Sequence, residues 1–525
     1  MRDFQAPGRS LVYAGNGMAA TSHPLASQVA VRMLQDGGNA VDAAIAAAVL
    51  LGFCEPPMCG LGGDCFVLLK PRGEERLVGL NGSGRAPAGL DAGRLRTEGH
   101  AVLPVRSAAA VTVPGAVDAF ARLGADWGRL GLAACLAPAI GYAEAGVPVA
   151  PRTALDWQAA ASELLGDARR FFLSGGAAPR PGEAFRAPEQ AEVLRRIARD
   201  GRAGFYEGEV AEDMVTSLRA LGGTHRLEDF AATSCDYVEP ISGPYRGHEL
   251  VELPPNGQGA TAILMARILA RFDLAALDPL GAARVHLEAE AGKLAYDARN
   301  RLVADPDAGD QWQRMLDETT ADRLAALIDP RRVLVNPAAA AEAVHRDTVY
   351  LCVVDRDRMA VSMIYSTYHA FGSGLASSRF GINFHSRGAG FSLVPGHPNE
   401  AGGGKRPMHT IIPAMLRRDG RVLMPFGVMG GAYQPAGHAR FLSNLVDYGM
   451  DPQAAIDAPR SFADAGDLQL ETGYPDTVAA ELAALGHRVV RRELPLGGAQ
   501  AILIGDDGVL TGASDPRKDG CALGY

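Results

Sequence analysis

Apolar and polar positions alternate along this chain with two different periods. Residues 23–53, "HPLASQVAVRMLQDGGNAVDAAIAAAVLLGF", carry helical spacing in two stretches split by Gly37-Gly38-Asn39, a stop signal followed by a restart. The second stretch is apolar nearly all round, which predicts a helix buried on every face. "GLGGDCFVLLKP" and "RLVGLNGSG" then read as paired strands. Residues 120–235 return to helical periodicity, and "ISGPYRGHELVELPPNGQGATAILMARIL" gives a strand, a Pro/Gly loop and a helix. Residues 286–302 read as an amphipathic helix, and 303–345 lose any steady period, which predicts a long surface segment or linker. Beyond it, "TVYLCVVD" and "MAVSMIYS" are two strands joined by the turn Arg356-Asp357-Arg358. Strands and glycine-rich loops follow through 401–431, and a helix and a hairpin close the chain. Helices flank strand-rich centres in both halves, so a layered α/β or α+β body is expected.

Bulk properties narrow the function without naming it. A length of 525 residues suits two to four ordinary domains or one large enzyme domain with insertions. The net charge of −9, with no dense basic block, argues against a nucleic-acid partner. Seven cysteines without a C-x-x-C pair fit reduced, buried thiols better than a zinc ribbon or a disulfide framework. The opening residues lack a signal-peptide core, and the apolar run 40–53 is too short to span a bilayer. A soluble, cytoplasmic protein without a membrane partner is the expectation.

Most catalytic signatures are absent: there is no H-E-x-x-H, no Walker loop and no G-x-S-x-G elbow. "GLGGD" lacks dinucleotide spacing and reads as a tight turn. Cys352, between Leu351 and Val353, reads as a packed strand residue. The twelve histidines form no pair at helical spacing, so neither a metal nor another cofactor is expected; only His409, in a Gly/Lys/Arg/Pro-rich loop, is a candidate for chemistry. One junction stands out. Asp347–Thr348 opens a strand two-thirds of the way along, and a cut there would make Thr348 a new N-terminus.

The segments "DTVYLCVVDRD", "MAVSMIYS", "GKRPMHTIIPAM" and "FGVMGGAYQPAGH" resemble the γ-glutamyltransferase family of N-terminal-nucleophile (Ntn) hydrolases. Upstream, "GGNAVDAAIAAA", "GLGGDCFVLL", "VPGAV", "PISGPYRGHELVELPP" and "AEAGKLAYDARN" resemble its landmarks in family order, so the likeness covers essentially the whole chain. The resemblance implies a four-layer αββα sandwich. It also implies one precursor that cuts itself at Asp347–Thr348 into subunits 1–347 and 348–525, and a dimer of such heterodimers is an assembly it allows. Thr348 would be the nucleophile, Gly430 and Gly431 the oxyanion donors, and Ser366 the hydroxyl supporting the nucleophile.

Where the family grips a γ-glutamyl group, this sequence departs from it. The arginine that would hold the α-carboxylate is Ser83, and the amine-binding residues become Arg387 and Gly390 in the 379–391 loop. The two serines after "KRP" become His409 and Thr410, and an asparagine becomes Tyr368. Arg387 can bind a carboxylate but repels an ammonium, and Arg85 is a second candidate of that kind. The resemblance therefore implies an amidohydrolase acting on a small carboxylate-bearing amide such as oxamate or a dicarboxylic monoamide. A γ-glutamyl hydrolase or transferase with a rebuilt pocket, and a non-catalytic binding protein on the same scaffold, are the rivals.

Overall fold

The computed structural model describes residues 8–334 and 347–525, with Asp347 described by its backbone alone. Two seven-stranded sheets, antiparallel throughout, dominate a mixed α/β fold. In the first, the strands Asp347–Val354 and Ala360–Tyr368 lie at the centre, flanked by Met18–Thr21 and Asp64–Lys70. In the second, Arg421–Met429 is central, between Gly498–Ile504 and Ala414–Arg418. Each of these two sheets thus draws strands from both sides of Thr348, and neither half of the chain completes either of them alone.

Strand alternation assigns the faces. Val349, Leu351, Val353, Met363, Tyr365, Cys65 and Val67 pack against the helix Ala40–Cys54 and its neighbours. The intervening residues Tyr350, Cys352, Ile364, Phe66 and Leu68 meet Val251, Met415, Met429 and Ile502 of the second sheet and Ile411 of the loop leading into it. That sheet's other face, with Leu416, Phe426 and Val428, packs on the helices Gly259–Leu269 and Gln434–Val446. The sheets approach closely where the Tyr350 ring crosses Gly427. A Cβ there would lie 2.4 Å from the ring, so only glycine fits.

The Ala40–Cys54 helix is buried at every position but Gly52, as its unbroken apolar pattern requires. Asp42, which interrupts that pattern, completes a capping box with Asn39. Two expectations are corrected. Residues 303–334 lie mostly at the surface but are not an irregular linker: they form the turn Gln311–Leu316 and the helix Glu318–Ala325, with Met315 and Ala321 fully buried against the Gly259–Leu269 helix. Each element is too short for its spacing to register as a period. The rest of that segment, 335–345, lies outside the described residues.

The helix Ala282–Leu302 is not simply amphipathic either. Its charged residues Arg284, Glu288 and Glu290 are buried with the apolar ones, the first two in an ion-paired cluster with Arg440. Cys352 is fully buried between the sheets, as expected, and the cysteines are free thiols. Among the described residues no helix is long and apolar enough to cross a membrane.

Candidate active site

Thr348 falls on the strand face turned toward the second sheet and is 1 % exposed. Asp347 pairs with Tyr368 and Val349 with Tyr365, so the partner strand carries one extra residue opposite Thr348. Such a bulge re-aims side chains, and here it brings the two hydroxyls together. The Thr348 hydroxyl donates to Ser366 Oγ at 3.2 Å, and the Tyr368 N–H donates to the same oxygen at 2.8 Å. Tyr368 takes a left-handed backbone, φ 81°, at the end of the bulge.

Directly across the next strand pair from Ser366 stands Asp64. Its carboxylate is fully buried and accepts from the Gly84 N–H (3.1 Å), the Gly115 N–H (3.0 Å) and His409 Nε2 (3.0 Å). His385 Nδ1 lies 3.3 Å from the same carboxylate, and its other nitrogen reaches the Thr112 carbonyl at 2.8 Å. Burial opposes ionisation of Asp64, but the His385 and His409 imidazoles outweigh it and hold the carboxyl well below the usual carboxylate range. His409 shifts down as well: burial first, then the Arg387 charge, pull it to about 3 against the attraction of Asp64.

Arg387 is the third member of the site. Fully buried, it donates through Nη1 to Thr410 Oγ1 at 3.2 Å and stacks its guanidinium 3.9 Å over the Tyr368 ring. Its Nε and Nη2 have no hydrogen-bond partner, and it makes no ion pair among the described residues. Burial pulls its pKa to about 10 against the pull of Tyr368 and Asp64, so it is charged through the neutral range.

Gly430 and Gly431 end the strand that stacks on that of Thr348 and open the turn into the Gln434–Val446 helix. Their φ values of 126° and 60° are left-handed, which glycine adopts without strain. The Gln258 amide ties this turn to the His409–Thr410 loop, donating to the Thr410 carbonyl at 2.7 Å and the Gly431 carbonyl at 3.1 Å.

Of the residues singled out from sequence, Thr348, Ser366, Tyr368, Arg387, His409 and Thr410 form one connected cluster. Arg85 does not join it: its half-exposed guanidinium is held by Asp305, Asp307 and the Gly404 carbonyl, so its charge is already compensated. Ser83 is buried in an amide network with Asn81 and Asn256. At Gly390 a Cβ would lie 2.5 Å from the Met408 carbonyl, so this backbone has no room for an acidic side chain there.

Sequence reasoning missed Asp64, His385 and Gln258. For Asp64 a signal existed in the acid closing "GLGGD". Gly62 and Gly63 are required because a Cβ would meet the Asn383 and Ser366 carbonyls at 2.1 and 2.6 Å. The turn thus presses the chain onto the site. Elsewhere, His286, Glu290 and His487 cluster as a metal site could. Protein partners already serve them: His286 bonds His487 and the Asp329 carbonyl, and Glu290 takes Lys293 and the Leu334 N–H.

Comparison with known proteins places this geometry. The γ-glutamyltranspeptidase family model matches residues 26–525. A glutathione hydrolase-like YwrD proenzyme of Bacillus subtilis is 36 % identical, over 97 % of this chain and 98 % of that protein. The oxamate amidohydrolase proenzyme of Klebsiella pneumoniae is 37 % identical, with the same coverage. The crystal structure of cephalosporin acylase from Bacillus halodurans superposes with a TM-score of 0.92 at 39 % identity, covering 100 % of this chain and 99 % of that one. A buried strand-opening threonine in a fold shared end to end with proenzyme hydrolases leaves one conclusion: the chain belongs to the γ-glutamyltranspeptidase family and is a hydrolase.

Proposed function

We propose that the chain is a self-cleaving amidohydrolase whose substrate is a small amide bearing a carboxylate. The observation that carries the reading is the buried Arg387, with two unpartnered donor nitrogens, joined through Tyr368 and Ser366 to the Thr348 hydroxyl. A charged group buried without an anion is costly unless a ligand supplies one. Oxamate, the substrate in the name of the Klebsiella relative, has this chemistry. Helix, sheet, sheet and helix stack in that order in our reading, with the site between the sheets.

In the precursor, Thr348 Oγ1 attacks the Asp347 carbonyl carbon. The peptide C–N bond breaks, the nitrogen leaves as the Thr348 α-amine, and water hydrolyses the resulting ester. Subunits 1–347 and 348–525 result. The freed α-amine, with a reference pKa of about 7.7–8.0, then takes the hydroxyl proton as Thr348 attacks the substrate amide. Ser366 orients the hydroxyl. The Gly430 and Gly431 N–H groups serve the developing oxyanion, at about 3–4 kcal/mol for each such donor. Ammonia leaves, an acyl-Thr348 ester forms, and water releases the acid.

The test uses cleaved protein verified by mass, assayed side by side on oxamate and on a γ-glutamyl anilide. Ammonia release from oxamate alone supports the reading. Turnover of the anilide alone means that a glutamate site has been rebuilt from other residues. Thr348→Ala should leave one uncut chain; two subunits in that variant would move the cleavage site.

A further inference from the structure

We propose that Asp64 is a positioning residue that fixes the tautomer of His409, making its Nδ1 a hydrogen-bond acceptor in the anion pocket. The substrate class would therefore be a carboxylate that also carries a neutral N–H or O–H donor. The inference rests on the anion pocket proposed above and adds a requirement that the pocket alone does not impose.

The argument begins with Asp64. An ionised carboxylate can only accept hydrogen bonds, and one Asp64 oxygen already takes the Gly84 and Gly115 N–H groups. The other oxygen lies 3.0 Å from His409 Nε2, so that nitrogen must carry its proton. A ring kept neutral by burial and by the neighbouring Arg387 has a single N–H, and the lone pair is then at Nδ1. Nδ1 is buried and has no partner in the protein. An unfilled buried acceptor is unfavourable, and a bound donor would remove that cost.

Two neighbours hold the ring in place: the Phe66 ring, 4.7 Å away centroid to centroid, and the backbone bond from the His409 N–H to the Asn256 carbonyl at 2.8 Å. The adjacent residue, Thr410, accepts from Arg387, so the orphaned acceptor and the orphaned guanidinium donors belong to one loop contact. Together they match a ligand with an anionic end and a neutral donor beside it. An α-ammonium group would meet Arg387 instead.

Calorimetric titration of the cleaved wild-type protein with glycolate and with propionate tests this directly. The two acids are inert and near-isosteric, differing by a hydroxyl in place of a methyl. Glycolate should bind at least tenfold more tightly. In Asp64→Asn the amide donates to Nε2, the ring proton moves to Nδ1, and the preference should fall to near unity or reverse. The 15N shifts of the His409 ring should report the exchange of tautomers. Equal binding of the two acids to the wild type overturns the Asp64–His409 inference and leaves the anion pocket standing. Binding of neither acid overturns both. Asp64→Asn protein that folds and retains the full glycolate preference also overturns it. Should that variant fail to fold, the wild-type ratio and the wild-type 15N shifts decide together, and a proton on Nδ1 overturns the inference.

Discussion

A guanidinium enclosed by protein with two of its three nitrogens unpartnered is unfavourable for folding, and such arrangements persist where a ligand uses them. Arg387 therefore makes a prediction with two opposed readouts. Charge-assisted hydrogen bonds contribute about 1.5–3 kcal/mol, so Arg387→Ala should raise KM for an anionic amide roughly ten- to a hundredfold. Self-cleavage should be spared, and the melting temperature should hold or rise because an unpaired buried charge has gone. A steep loss of stability with unchanged KM would make Arg387 a structural residue. Thr348, Arg387, His409 and Thr410 were legible in sequence because each has a family position to compare. Asp64 was not, because a carboxylate at the end of a glycine turn has the same composition whether it caps a loop or organises a site. Only the fold brings Gly84, Gly115 and His409 to it from segments up to 345 residues apart.

Elements carry a different lesson. The Ala40–Cys54 helix is plain in sequence, and Asp42 looks there like a flaw in an apolar run. In the fold it is the most connected residue of that helix's start. It accepts from Asn39 N–H at 2.9 Å, Arg129 N–H at 3.0 Å and Leu130 N–H at 3.1 Å. Asp42→Ala would leave those three donors without Asp42 at a partly buried junction, and the expected loss is about 2 kcal/mol in chemical denaturation. Asp42→Asn, which keeps one acceptor oxygen, should lose less; equal losses would mean that packing and not capping holds the junction. The Ala282–Leu302 helix shows the converse failure. Its charges suggested a solvent face, yet Glu288 pairs with both Arg284 and Arg440 inside the protein. Periodicity reports which positions are polar, not whether a partner 152 residues away will bury them.

At the scale of the molecule, the two halves are interlocked by strands and also by a buried titratable group. Glu55 terminates the Ala40–Cys54 helix, takes the Ser22 hydroxyl and feels Lys518 from the far end of the chain. Burial pushes its pKa from 4.5 up to about 7, with Lys518 and Ser22 only partly offsetting the rise. Because the folded value exceeds the unfolded one, the native state keeps a proton between these pH values that the unfolded chain has released. Stability from this group is therefore full below pH 4.5 and is lost as pH rises toward 7. The loss amounts to something on the order of 3 kcal/mol.

The measurement belongs in the Thr348→Ala background, where unfolding is expected to involve one chain, with Glu55→Gln added. The glutamine variant should match its parent near pH 4.5 and exceed it by that amount at pH 8. Parallel stability curves for the two proteins would mean that Glu55 is ionised in the fold, with the Lys518 charge offsetting its burial. In that case Lys518, which also pairs with Asp156 at 3.5 Å, would serve two carboxylates at neutral pH, and replacing Lys518 would destabilise the protein more than replacing Glu55.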